Sequence, residues 1–112
     1  MKNLPAFATA TTLDQLTKDT VIRFRQHAGA RRRICQVTGV RKFEGHTFIL
    51  LDLYDVREFN DEGKPVVLSG QRYVAATING RRSYGWADAF CRTFSPRQIE
   101  CGYVEIAQEV RS

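Results

Sequence analysis

Between positions 46 and 59 the chain reads HTFILLDLYDVREF, with Phe48, Ile49, Leu50, Leu51, Leu53, Tyr54 and Val56 crowded together. An apolar run this dense, yet too short to span a bilayer, predicts a central strand buried on both faces. Residues 20–26 alternate instead. Ile22 and Phe24 point one way and Arg23 and Arg25 the other, which predicts a half-buried strand with a basic outer face. After a turn at His27-Ala28-Gly29-Ala30, residues 31–43 are expected as the next strand. Its apolar residues Ile34, Val37 and Val40 are spaced three apart, and the period break at Thr38-Gly39 predicts a bulge or sharp bend. Glu44-Gly45 then turns the chain as a hairpin into the 46–59 strand.

Beyond it, the polar residues 60–64 form a turn ahead of an extended segment over 65–78. Asn79-Gly80 is a strong hairpin signal, because both residues tolerate the positive φ of a type I′ turn. The return over 81–94 is rich in aromatics, with a bend expected near Gly85, so 65–90 reads as an extra hairpin. Ser95 as cap and Pro96 at the first helical position predict one turn of helix. Residues 102–110 alternate Tyr103, Glu105 and Ala107 against Val104, Ile106 and Val110, a closing strand. At the other end, Thr12 and Gln15 have capping-box spacing before a short helix over 13–18, and residues 1–11 read as a loose N-terminus. The whole describes one mainly β domain over residues 1–112. It is expected as a small, strongly bent SH3/Sm-like barrel of 5–6 antiparallel strands, with a short N-terminal helix and one helical turn before the last strand.

Composition agrees with a single soluble core: 112 residues, 43% hydrophobic, mean hydropathy −0.35. The N-terminus lacks the apolar run of a signal peptide, and no stretch reaches membrane-spanning length, so a cytoplasmic protein without membrane contact is expected. Cys35, Cys91 and Cys101 form no CxxC pair and make no zinc spacing with His27 and His46. Neither metal nor cofactor is expected, and the thiols read as small packed groups.

Charge changes the picture more. The net charge is +5, and arginine supplies 13 of the 17 basic residues. Residues 20–43 hold seven bases and no acid, residues 44–62 six acids against Arg57, and residues 64–98 six bases against Asp88. Segmentation of this kind predicts a two-sided surface.

Arg33-Ile34 opening one strand, the run from Gly45 to Asp52 as the next, and Arg92-Thr93-Phe94 followed by Ile99 resemble the strands of the WYL family of small barrels. The resemblance spans about residues 21–99. His46-Thr47-Phe48 stands where the family's Trp-Tyr-Leu triplet would be, residues 56–89 are longer than the family's connection, and no helix-turn-helix precedes the barrel. WYL domains are generally regulatory modules that bind nucleic acid or a nucleotide-like ligand through basic and aromatic residues. The resemblance therefore implies a binding module rather than a catalyst.

The residues agree. Arg23 and Arg25, with Arg31, Arg32 and Arg33 across the turn, are expected to project from one face and track phosphates, joined by Arg41 and Arg92. Arg72, Arg81, Arg82, Tyr84 and Trp86 on the extra hairpin suit groove insertion or a protein interface. The alternative partner is a host protein, modulated by a small phage-type chain. Either a monomer or a homodimer is compatible with an exposed closing strand. No catalytic residue is expected. There is no glycine-rich phosphate loop, the His and Cys residues carry no signature spacing, and Asp52 and Asp55, three apart on a strand, face opposite ways. Whether Asp52, Asp55 and Glu58 neutralise the arginines is left to the tertiary structure.

Overall fold

The computed structural model describes residues 4–56, 59–65, 72–86 and 89–108; within these, the side chains of residues 72–76 and 83–86 are outside the description. The expected contributions of Arg57, Glu58, Asp88 and Val110, and of the side chains of Arg72, Tyr84 and Trp86, fall outside it too. Among the described residues there are eight strands: β1 (Phe7–Thr9), β2 (Val21–Phe24), β3 (Arg33–Lys42), β4 (Ile49–Asp55), β5 (Arg72–Ile78), β6 (Arg81–Trp86), β7 (Ala89–Phe94) and β8 (Val104–Ala107). One short helix, α1 (Pro96–Glu100), precedes β8.

Six strands form one antiparallel sheet in the order β1-β8-β2-β3-β4-β7, and β5 pairs with β6 as a separate ribbon. The sheet does not close into a barrel; β1 and β7 are its edges among the described residues. It is nevertheless strongly curled. Neighbouring strands lie about 4.8 Å apart, so β2 and β7, three steps apart, would be roughly 14 Å apart if the sheet were flat. Yet the Phe24 and Phe94 ring centroids are 5.2 Å apart, edge to face. The bend comes from β3, whose register with β4 shifts between Val37 and Gly39, so that Thr38 is the extra residue of the expected bulge.

The concave face buries Ile22, Phe24, Cys35, Val37, Leu51, Leu53, Phe94 and Val104 in a single cluster, with Leu16 and Ile99. On the opposite face Val21, Val56 and Phe59 form a smaller cluster with Phe7, Ile34 and Ala107. Strand β4 does lie inside the sheet, between β3 and β7. It is not buried on both faces as expected, however. Ile49, Leu51 and Leu53 are buried while Leu50 and Tyr54 are half-exposed, because this part of the sheet has a core on one side only.

Two local expectations also change. The expected N-terminal helix over residues 13–18 is a three-residue 3-10 turn, Leu13–Gln15, in which the Gln15 amide oxygen accepts from Thr12 N–H at 3.1 Å. The segment expected to be loose contains β1, which pairs Phe7 with Ala107 and Thr9 with Glu105. A three-residue strand is too short to show a period of its own. At α1, Ser95 is the N-cap, Pro96 opens the helix, and the Gln98 side chain accepts from Ser95 N–H at 2.8 Å. Among the described residues no helix is long and apolar enough to cross a membrane.

Candidate functional site

The arginines of residues 20–43 do not share one face. The antiparallel register sets Phe24 against Arg33 and Arg23 against Ile34. Cross-strand partners lie on the same side of a sheet, so Arg33 joins the concave face and Arg23 the convex one. A turn one residue longer or shorter would have reversed this.

Four of the expected contact residues are ion-paired, three of them through hydrogen bonds. On the convex face Arg23 grips Glu105 with both ends of its fork, Nε to Oε2 at 2.8 Å and Nη2 to Oε1 at 3.1 Å, and lies 4.4 Å from the centre of the Phe7 ring. The hydrogen bond from Arg23 holds the Glu105 carboxyl below its usual range, and the same bond raises the Arg23 guanidinium. Arg32 stands farther off, 3.8 Å from Glu105. On the same face Arg41 donates to Asp52 at 2.7 Å, and the Cys91 thiol donates to the same oxygen at 3.1 Å. Chiefly through that thiol, the Asp52 carboxyl is held low and Cys91 is pushed up.

On the concave face Arg33 makes two 2.7 Å bonds to Asp55 and stacks on Phe90 at 3.8 Å. Cys35, fully buried beneath, donates to Asp55 at 3.3 Å. Burial, and then this bond, push its thiol far up. Asp52 and Asp55 thus face opposite ways, and each holds one arginine of the neighbouring strand.

The remaining expected contacts lie just after β2, just before β3 and on β7, with Arg25 on the Glu105 side of the sheet and Arg92 on the concave side. Arg25 donates to the Ala28 carbonyl at 3.2 Å and lies 5.1 Å from the Tyr103 ring centre. Arg31 is exposed in the turn. Arg92 reaches back across the curled sheet, 5.5 Å from the Phe90 ring centre. With the Gln26 amide oxygen turned toward it, Arg92 donates to that oxygen from both Nε and Nη2 at 3.1 Å. Arg25, Arg31 and Arg92 have no ion-pair partner among the described residues. Beside Arg92 opens a cleft of about 380 Å³ lined by Phe24, Gln26, Arg92, Thr93, Phe94 and Gln98. A larger groove of about 1070 Å³ elsewhere sets Lys18 and Lys64 against Asp19 and Glu62, so its charges cancel.

Of the hairpin residues, Arg81 and Arg82 are exposed at the tip of the β5–β6 ribbon, next to Asn79 and Gly80 at φ 51° and 76°. No group of three His, Cys, Asp or Glu among the described residues is placed to hold a metal ion. His27 accepts from Gly29 N–H at 3.2 Å, and His46 lies 4.9 Å from the Phe48 ring centre. Glu105, Phe90, Tyr103 and Gln26 were not singled out by sequence reasoning. The alternation of β8 places Tyr103 and Glu105 on one side, but nothing local says that Arg23 lies opposite. No protein-family model, curated protein or solved structure matches the chain.

Proposed function

We propose that this chain is a non-catalytic, WYL-like nucleic-acid-binding module. The observation that carries the reading is that Arg25, Arg31 and Arg92 form no ion pair within 4 Å among the described residues, with the Tyr103 ring beside Arg25 and the Phe90 ring beside Arg92. Guanidinium groups that have not already spent their charge on a carboxylate are the ones left to bind phosphate, and adjacent rings suit an unstacked base. The cleft beside Arg92 has room for one base. The topology is an open curled sheet: a meander of β2, β3 and β4 continues to β7, and a helical turn then returns β8 to the side of β2.

Arg23, Arg33 and Arg41 have a structural part in this reading, holding strands together through Glu105, Asp55 and Asp52. The test is fluorescence anisotropy with labelled 20-nucleotide single strands and duplexes across a salt series. Wild type is expected to bind with steep salt dependence. The Arg25/Arg31/Arg92→Ala triple variant is expected to lower the slope of log K against log salt by about 2 to 3, since each phosphate contact contributes about 0.7 to 0.9. Binding that is unchanged by salt or by the triple substitution refutes the proposal. The competing reading, capture of a host protein, predicts stoichiometric pull-down that survives nuclease.

A further inference from the structure

The β5–β6 ribbon differs from the main sheet in its charge. From Arg72 to Trp86 it carries three arginines and no acid. The two-residue turn at Asn79-Gly80 closes it tightly, and the residues around that turn, 77 to 82, are all exposed. One of them is out of place on a solvated tip. Ile78 is 67% exposed, the most exposed large apolar residue among those described.

We propose that the ribbon is a duplex-inserting arm, in which Arg81 and Arg82 contact phosphates and Ile78 wedges into a base step and kinks the helix. The register pairs Ile78 with Arg81 and Thr77 with Arg82. The pleat therefore sends the two arginines to opposite faces of the ribbon, one toward each wall of a groove, with Ile78 beside Arg81 at the end that enters first. Two-stranded ribbons enter either groove of a duplex, and seven residues of β5 extend roughly 20 Å, enough to reach a groove floor. Apolar side chains inserted at a step unstack it and bend the duplex, which lets more protein surface engage. A polyanion is the occupant that charge selects, because the ribbon carries Arg72, Arg81 and Arg82 and no acid.

The inference extends the nucleic-acid reading to a second surface, and its test separates the two. The full-length protein is mixed with a 20-base-pair duplex labelled at both ends for energy transfer, carrying 2-aminopurine at central steps. Wild type is expected to shorten the end-to-end distance and raise 2-aminopurine fluorescence. Ile78→Thr, which keeps a β-branched residue in the strand, is expected to abolish both signals while affinity falls less than about fivefold. Arg81→Ala with Arg82→Ala is expected to lower the salt slope by about 1.8. Binding by wild type without bending, or equal bending by Ile78→Thr, overturns the arm while leaving the reading of Arg25, Arg31 and Arg92 standing. No duplex or single-strand binding by wild type overturns both, and nuclease-resistant binding of a protein that Ile78→Thr abolishes overturns the arm.

Discussion

Glu105 decides what Arg23 is for. The pair is mostly buried, with side-chain exposures of 23% and 17%, so removing the carboxylate leaves a cation without its partner. Glu105→Ala is expected to cost about 1.5–3 kcal/mol, read as a lower urea midpoint. The pH dependence has a definite sign. The folded carboxyl titrates below its unfolded value of about 4.5, so its contribution is complete above that value and is lost as pH falls through the lower folded one. The gap between wild type and Glu105→Ala should therefore narrow on acidification into that range. The three cysteines are free. They should label with maleimide in the order Cys101, then Cys91, then Cys35, since thiolate and access both control the reaction. Cys101 is exposed, Cys91 is exposed with its thiol raised by Asp52, and Cys35 is buried. Equal labelling of all three in the native state would contradict the burial of Cys35. These pairings were only half legible in the sequence. The alternation along residues 20–26 shows Arg23 leaving the core, but its partner lies 82 positions away.

At the scale of elements, the curl of the sheet rests on few contacts between β2 and β7. Phe94 is 1% exposed and packs edge to face on Phe24 across the opening. Phe94→Ala is expected to cost about 3–5 kcal/mol, a large part of the stability of a domain this size, measurable by chemical denaturation. It should also displace Arg92, the next strand residue but one, and so weaken nucleic-acid binding more than stability alone explains. The ribbon depends on its turn instead. Gly80 sits at φ 76° with open space around its Cβ position, so Gly80→Ala meets backbone strain and no clash. A loss of about 1–2 kcal/mol, confined to the ribbon, is expected, with faster amide exchange in β5 and β6 and little change in the main sheet. Turn chemistry made this hairpin legible in advance. Strand β1 was not, because its three residues show a strand only through their pairing with β8.

Across the whole molecule, the acidic block of residues 44–62 and the basic block of 20–43 do not form two opposed surfaces. Antiparallel pairing of β3 with β4 interleaves them, and Asp52 and Asp55 each take one arginine from β3. Among the described residues Arg25, Arg31 and Arg92, and Arg81 and Arg82 at the ribbon tip, are in none of the ion pairs. That distribution is why the proposed contacts are Arg25, Arg31 and Arg92 with the ribbon tip, rather than the arginine run as a whole.

The sequence alone determined the features that depend on near neighbours. These are the β2 alternation, the bulge at Thr38-Gly39, the Asn79-Gly80 turn, the capped start of α1 and the apolar strand from Ile49, because backbone sterics and side-chain period act over a few residues. The tertiary structure decided the rest: an open curled sheet in place of a closed barrel, Arg33 on the face opposite Arg23, and which arginines keep their charge. Register and curvature are collective. A one-residue shift in one turn changes the face of every side chain in a strand, and no local pattern records which carboxylate arrives opposite. The strand from Ile49 to Asp55 was visible from the start, but its carboxylates acquired a role only once β3 lay beside it.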